Sequence, residues 1–316
     1  MSHLLKRIFP RRFHDRYGSR ALFVLTLIPI ALAVGISAVL IIRFLPILRE
    51  NSLLELLTGT VWKPSRGLFG YLPFIAATLW VTLLALLIAL PPCLLTAIYL
   101  SEYASPALRS IMRPILDLLA AIPSVIYGVW GMLIVVPWVQ NSVLPFSKAQ
   151  PNLPLLQTLN PTGFSLLAGS IVLALMIVPF IIAVTYEVMS SVPAGIRQAS
   201  LAVGATRLQT TLRVIIPATL PGILASVVLG LSRALGETMA VLMVVGNVVQ
   251  MPQSILDAGY PLPALIANNY GEIMSIPMYE SALMGAALIL LAMILVLNVT
   301  STLVLRKLMG RVRRSW

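Results

Sequence analysis

The sequence "RQASLAVGATRLQTTLRVIIPATLP", residues 197–221, is strongly patterned although long apolar stretches flank it on both sides. Pro193, just before it, is typical of a helix start, and Gly204 is typical of a helix end. Thr206 predicts the N-cap of a second helix with one apolar face. Pro217, with another proline four residues later, is expected to end that helix and lead into the next apolar stretch. Two short helices separated by one glycine predict a rigid projection from a membrane; a helix lying on the lipid headgroups is the alternative.

The composition is that of a membrane protein. The 316 residues are 59% hydrophobic and 10% charged, with a mean hydropathy of +0.97, whereas soluble domains are about half apolar and about a quarter charged. Six apolar stretches approach or exceed the roughly 20 residues that a membrane-spanning helix needs, although one of them is marginal and interrupted by glycine, proline and an acid. They are Ala21–Ile42, Leu72–Leu100, Ile115–Val136, Leu166–Val184, Ala218–Val245 and Ser281–Leu305. The sequence therefore predicts an all-α integral membrane protein with six transmembrane helices.

The net charge of +12 is distributed as in a membrane protein and not as in a nucleic-acid-binding protein. Sixteen basic residues lie in residues 1–20, in residues 306–316 and in the second and fourth connections, against five in the first, third and fifth connections. Basic residues accumulate on the cytoplasmic side of a membrane. We therefore expect two basic cytoplasmic tails, residues 1–20 and 306–316. The first apolar stretch is too long for a cleaved signal peptide, so we expect it to be a retained anchor.

Two connections lack helical periodicity. Residues 140–163 are rich in proline and polar side chains, which predicts an external loop. Residues 250–281 carry Asp257, Glu272 and Glu280 and no basic residue. A long connection of this kind is expected to be either a surface for an external partner or a solvated spacer.

Residues for catalysis and for metal binding are scarce. The chain has two histidines, His3 and His14, and one cysteine, Cys93. It contains no G-x-x-x-x-G-K-[ST] motif and no G-x-S-x-G motif, which are the usual signatures of ATP binding and of a hydrolase nucleophile. We expect no catalytic site, no metal site and no cofactor. The expected activity is transport, with any ATP hydrolysed by another subunit.

Residues 197–221 resemble the EAA loop of ABC importer permeases, whose pattern is E-A-A, three residues, G, nine residues and I-x-L-P. The spacing is kept, but Gln198, Ser200 and Ile216 replace glutamate, alanine and leucine, and the glutamine lacks the charge for a contact expected of the glutamate. The resemblance implies that residues 190–217, hereafter the coupling loop, seat in a cleft of a cytoplasmic ATPase. The implied coupling residues are Arg197, Gln198, Ala199, Ser200, Gly204 and Pro217.

Two further stretches narrow the resemblance. "LLAAIPSVIYGVWGMLIVVP" (118–137) and "LSRALGETMAVLMVVGN" (231–247) resemble the permease subunits of Pst-type phosphate importers. The long first external connection and the ending "YESALMGAALILLAMILVLNVTSTLVLR" (279–306) resemble the C-type subunit more than the A-type. The resemblance implies a type I ABC importer permease fold in the cell inner membrane, with residues 21–70 as first helix and external connection and 71–305 as permease core. It also implies a paralogous A-type permease subunit, a cytoplasmic ATPase dimer and an external phosphate-binding protein. Another oxyanion, such as sulfate or molybdate, and an ion-coupled carrier acting alone are the alternatives.

An arginine and a glutamate interrupt the fifth apolar stretch. Arg233 lies near its middle, where an arginine costs roughly 2.5–3.5 kcal/mol on insertion scales. A spacing of four predicts that Glu237 lies one turn further on the same face, close enough to pair with Arg233, in a stripe of small and polar residues with Ser226, Gly230 and Ala240. The stripe is expected to face the interior of the bundle. The two charges are either an ion pair joining helices or part of an anion route, in which Arg233 binds the anion and Glu237 holds or competes for Arg233.

Overall fold

The computed structural model describes residues 11–149, 153–158, 160, 162–271 and 278–312. In this part of the chain, six helical segments are long and apolar enough to cross a membrane. They are Gly18–Glu50, Leu72–Tyr103, Ser124–Ala149, Leu166–Ser190, Arg207–Gly236 and Tyr279–Val304. The predicted all-α fold with six spans is confirmed, although the third and fifth spans have other bounds than expected.

The spans are built from α-helices with short π-helical insertions. The helices are α1 (Arg11–Glu50), α2 (Leu53–Thr58), α3 (Leu72–Ile98), α4 (Pro106–Ala121), α5 (Ser124–Trp130), α6 (Val136–Trp138), α7 (Leu144–Ala149), α8 (Leu166–Ser190), α9 (Ala194–Ala202), α10 (Arg207–Thr210), α11 (Ile216–Gly236), α12 (Met239–Leu242), α13 (Leu262–Asn269) and α14 (Tyr279–Val312). The π-helical turns are Tyr99–Tyr103, Gly131–Val135, Val139–Val143 and Thr211–Ile215.

The core of the bundle lies between α3 and α8. One face of α3 carries small residues at every fourth position, so the two helix backbones can approach closely. These residues, all buried, are Ala77, Val81, Ala85, Ala89, Cys93 and Ala97. In α8, 61% of the most apolar window is buried, against 33% or less in the other five spans. The central helix of the fold is therefore α8.

The first helix lies at the periphery. The most apolar window of α1 is 0% buried within this chain, and α1 packs against α14 near its C-terminal end, where Arg43 and Glu280 form an exposed ion pair at 3.1 Å. Because α1 begins at Arg11 and α14 extends to Val312, the described parts of the two predicted basic tails are helical. Residues 1–10 and 313–316 of these tails lie outside the described residues.

The predicted third span, Ile115–Val136, has the wrong bounds. Ile122 is extended and precedes Pro123, and a residue before proline is disfavoured in the helical conformation. The break separates the amphipathic α4 from a continuous span, Ser124–Ala149. Residues 140–149, predicted as external loop, belong to this span.

The fifth span differs from the prediction at both ends. A π-helical turn, Thr211–Ile215, joins α10 directly to α11, so the expectation that Pro217 ends the second helix of the coupling loop is wrong. Proline interrupts an α-helix because it has no N–H and its ring clashes with the carbonyl four residues before it. The π turn directly before Pro217 shifts the hydrogen-bond pattern there, so the helix can continue through the proline. The span then ends at Gly236 and not at the expected Val245.

The first connection, predicted to be external, is folded. Trp62–Lys63 pairs antiparallel with Leu68–Phe69 around a turn in which Gly67 has φ +71°. The ring of Trp62 lies 5.0 Å from that of Phe74 and 5.4 Å from that of Phe69, measured between centroids. These aromatic contacts fix the first external connection on the beginning of α3.

Candidate functional site

Arg233 lies beside the middle of α8. Its guanidinium carbon is 5.4 Å from the centroid of the Phe180 ring on α8. Phe180 is fourteen residues after Leu166 and ten before Ser190, or about 21 Å and about 15 Å from the two ends of α8 at a rise of about 1.5 Å per residue. Tyr127 of α5 is close enough to interact electrostatically with the arginine. Arg233 is exposed in this chain, so its charge must meet water, lipid or a partner.

Glu237 does not lie on the helix that carries Arg233. The helix ends at Gly236, and Glu237 is extended, with φ −71° and ψ 130°. Its carboxylate Oε1 accepts the Thr238 N–H at 3.2 Å. The dipole of a helix favours a cation and disfavours an anion at its C-terminal end, which suits Arg233 in the last turn and not a glutamate. Among the described residues the two ion pairs do not include Arg233 or Glu237: they join Arg43 with Glu280 and Arg197 with Glu102.

The residues of the predicted stripe do not share one environment. Ser226 and Gly230 face α8: the Ser226 hydroxyl lies 2.7 Å from that of Thr185, and a Cβ on Gly230 would lie 2.6 Å from Ile181 Cγ1. These residues allow α11 to approach α8 closely. Ala240 is buried as well, whereas Arg233 is exposed, so within this chain the expected inward orientation holds for Ser226, Gly230 and Ala240 and not for Arg233.

Beyond the helix break the chain folds back over the N-terminal end of α8. The Asp257 carboxylate accepts hydrogen bonds from the Thr158 hydroxyl at 2.6 Å and from the Gln253 and Ser254 N–H groups at 3.0 and 2.9 Å. The Asp257 carbonyl accepts the Leu166 N–H at 2.9 Å. These bonds join the third and fifth connections, which together line an open cavity of about 620 Å³. Glu272, in the same connection, lies outside the described residues.

The coupling loop has the predicted helix–glycine–helix form. Helix α9 begins after Pro193, and Gly204 has φ +89°, a conformation that side chains with a Cβ rarely adopt. The Thr206 hydroxyl accepts the Gln209 N–H at 3.2 Å, and the Gln209 side chain accepts the Thr206 N–H at 2.9 Å. This reciprocal pair is a capping box, and it fixes the direction in which α10 leaves the glycine turn.

The six predicted coupling residues differ in their exposure to solvent. Gln198, Ala199, Gly204 and Pro217 are exposed, whereas Ser200 and Arg197 are partly buried. Exposed apolar side chains lie close in sequence to Gln198, Ala199 and Gly204. They are Ile196, Leu201, Val203 and Leu208, of which Val203 is 85% exposed. The loop thus presents an apolar surface of the kind that marks a protein interface.

Arg197 points into the protein. Its side chain is 22% exposed, and its guanidinium pairs with the Glu102 carboxylate at 3.0 Å. It belongs to the base of the loop and not to its exposed surface.

Several residues of these sites were not identified from the sequence. Phe180 and Tyr127 are single aromatic residues in apolar stretches, and no local pattern distinguishes them from packing residues. Glu102 could have been identified from the sequence, because it is an acid directly after an apolar stretch and at the beginning of a basic connection. The role of Asp257 depends on contacts with a segment ninety-nine positions away, which no local pattern reveals.

Comparison with known proteins identifies relatives along most of the chain. Residues 93–314 match the family described as "Binding-protein-dependent transport system inner membrane component". The chain is 38% identical over 255 residues to the phosphate transport system permease protein PstC of Xylella fastidiosa (strain Temecula1 / ATCC 700964), covering 79% of this chain and 76% of that protein. It is 36% identical over 287 residues to the probable ABC transporter permease protein YqgH of Bacillus subtilis (strain 168), covering 90% and 88%.

A solved structure supports the fold. The chain matches the inward-facing MetNI methionine ABC transporter with a TM-score of 0.51 and 21% identity, over 76% of this chain and 94% of that one. The expected type I ABC importer permease fold is therefore confirmed, and the chain is a non-catalytic inner-membrane component. It belongs to the binding-protein-dependent transport system inner membrane components and, among them, to the PstC permeases.

Proposed function

We propose that this chain is the C-type permease subunit of an ATP-driven importer and forms part of the transmembrane route for inorganic phosphate. It works by alternating access with a paralogous A-type permease, a cytoplasmic ATPase dimer and an external phosphate-binding protein. Both termini and the coupling loop are cytoplasmic in this proposal, in agreement with the distribution of basic residues. The similarity to PstC proteins supports phosphate over sulfate or molybdate.

The observation that carries the proposed route is the exposed Arg233 at mid-membrane depth. A charge facing lipid there is costly, and intramembrane charges line cavities or subunit interfaces. A discontinuous helix that ends near the midplane is a recurring element of transporter binding sites. The planar guanidinium forms bidentate hydrogen bonds with oxyanions and keeps its charge. We infer that Arg233 faces a route between this chain and its paralogue, and that Glu237 lines the same route and competes with the anion for Arg233.

The exposed apolar surface of the coupling loop supports the second part of the proposal. An ATPase bound there would cover Ile196, Leu201, Val203 and Leu208, and it would approach Gln198 and Ala199 on the same helix. An ion-coupled carrier acting alone would leave this surface in water. We therefore propose that the apolar surface of α9 and α10 binds the ATPase.

Phosphate uptake into proteoliposomes containing the complete transporter tests the route. Charge-assisted hydrogen bonds contribute about 1.5–3 kcal/mol each, so Arg233→Gln is expected to lower uptake by roughly 10- to 150-fold. Arg233→Lys keeps the charge but not the bidentate geometry, and should retain intermediate uptake. Assembly and ATPase activity should persist in both variants. Arg43→Gln, which removes an exposed arginine at the external end of α1, is the matched control and should transport normally.

Uptake by Arg233→Gln at the level of the parent would exclude the arginine from the route. Competition by unlabelled sulfate and molybdate measures selectivity in the same assay, and strong competition by either would contradict phosphate as the substrate. Uptake that continues in proteoliposomes without the ATPase would favour the ion-coupled carrier.

A further inference from the structure

The base of the coupling loop contains a four-bond cluster around Arg197. The guanidinium donates to both oxygens of the Glu102 carboxylate, from Nε at 3.1 Å and from Nη2 at 3.0 Å. Nη2 also donates to the Met189 carbonyl at 2.7 Å, and Nη1 donates to the Val192 carbonyl. Met189 lies in the last turn of α8, and Val192 follows the C-cap Ser191, where backbone carbonyls have no regular partner four residues further on. Arg197 on α9 therefore binds the ends of α3 and α8 at once.

The cluster extends to a further helix. The Glu102 Oε1 accepts the Ser101 hydroxyl at 2.8 Å, and the Ser101 carbonyl accepts Arg109 Nη2 at 2.7 Å. Arg109 lies in the first turn of α4. The Glu102 side chain is 9% exposed, and an ion pair shielded from water is far less weakened by solvent and salt than a surface pair. The ends of α3 and α8 and the beginning of α4 thus share one polar cluster with the coupling loop.

The Glu102–Arg197 pair links α9 to the π-helical turn that continues α3. Helix α9 is joined by its own backbone to α8 on one side and through α10 to α11 on the other. Helix α3 precedes α9 by about a hundred residues: it packs on α8, its Leu94 and Ile98 pack on the Met189 and Ile215 cluster, and Glu102 after it pairs with α9 itself. Apolar contacts permit sliding, whereas a bidentate guanidinium–carboxylate pair fixes distance and orientation.

We propose that Glu102 and Arg197 are positioning residues that fix the coupling loop to the end of α3, so that a displacement of the loop moves α3 and α8 together. The Arg197 side chain is 22% exposed and that of Glu102 is 9% exposed, so neither belongs to the exposed surface that we assign to the ATPase. The inference rests on the proposed function, because it assigns to this pair the transfer of motion from the ATPase to the membrane helices. Loss of the pair should uncouple ATP hydrolysis from transport without preventing assembly.

The first test compares phosphate transported per ATP hydrolysed in proteoliposomes. Arg197→Lys and Glu102→Gln each remove the bidentate pair, and we expect the ratio to fall about tenfold or more, the factor that corresponds to loss of one charge-assisted hydrogen bond. ATPase activity should remain within about twofold of the parent, as assembly is retained. Glu280→Gln removes an exposed ion pair at the opposite face and should not change the ratio. An unchanged ratio in both Arg197→Lys and Glu102→Gln would overturn the proposal.

The second test restores the connection covalently. The chain has one other cysteine, Cys93, which is buried, so Glu102→Cys with Arg197→Cys can be bridged selectively by a short bifunctional thiol reagent. We expect low coupling before bridging and recovery toward the parent ratio after it. A pair needed only for folding would show no gain, and a loop that moves relative to α3 during transport would be arrested; either result overturns the proposal. Absence of ATP-driven uptake in the parent complex would instead contradict the proposed function.

Discussion

Replacement of Gly204 is expected to disrupt the coupling loop without unfolding the membrane domain. Gly204 has φ +89°, and a Cβ built on it meets nothing within 4 Å, so the whole penalty comes from the backbone. A left-handed conformation costs a residue with a Cβ about 1–2 kcal/mol, and more for a β-branched one. That penalty lowers the ratio of native to altered loop conformations by roughly 5- to 30-fold. Because the turn is exposed and local, we expect Gly204→Val to insert and to keep its spans.

The assay is copurification of the ATPase with the tagged chain, followed by phosphate uptake. Both should fall together in Gly204→Val, and Gly204→Asn should lose less because asparagine tolerates the left-handed region better. Gly67 offers a matched control: it has φ +71° and an equally empty surrounding, but it lies in the external turn. Gly67→Val carries similar strain and should retain the ATPase. Parent-level ATPase association in Gly204→Val would refute the assignment of this loop as the coupling surface.

Two further substitutions test the external side of the fold. Tyr71→Phe removes the hydroxyl that donates to the Ala282 carbonyl at 2.7 Å and should lower the free energy of unfolding by about 1–3 kcal/mol. Since burial raises the pKa of Tyr71, the folded parent keeps a proton that the unfolded chain releases near its ordinary pKa of about 10. Parent stability should therefore fall more steeply than that of Tyr71→Phe above about pH 10, and parallel pH curves would contradict this. Asp257→Asn leaves one amide oxygen for the Gln253 and Ser254 N–H groups but turns its NH2 toward the Thr158 hydroxyl and removes the negative charge. It should make the third and fifth connections more sensitive to protease; unchanged sensitivity would contradict the role of the carboxylate.

Features determined by a few neighbouring residues were predictable from the sequence. Pro193, Gly204 and Thr206 were assigned as start, stop and cap, and each has that role in the structure. Local rules suffice there because a cap or a left-handed turn depends on residues within one helical turn. The number of spans was predictable for a related reason, because a run of about 20 apolar residues matches the thickness of the hydrocarbon core of a bilayer.

Helix continuity was not predictable in the same way. The break at Pro123 follows from the proline itself, but the break at Gly236 does not follow from hydropathy, because apolar residues continue beyond it. The chain after Gly236 packs against α5: a Cβ on Gly128 of α5 would lie 2.6 Å from Met243 Sδ, just beyond α12. Pro217 shows the opposite case, because a π turn accommodates a proline that was expected to end a helix. Both outcomes depend on packing partners that are remote in sequence.

The position of Glu237 changes which experiment separates a route from an ion pair. A spacing of four implies proximity only on a continuous helix, and the helix ends between Arg233 and Glu237. If the two charges formed an ion pair, neutralising either would leave the other unpaired, and both variants should fail alike. Without the pair, Glu237→Gln keeps a carbonyl oxygen that can accept the Thr238 N–H and removes a competitor for Arg233. We therefore expect Glu237→Gln to transport with a lower KM for phosphate while Arg233→Gln loses uptake. Equal losses in the two variants would restore the ion pair as the explanation for both charges.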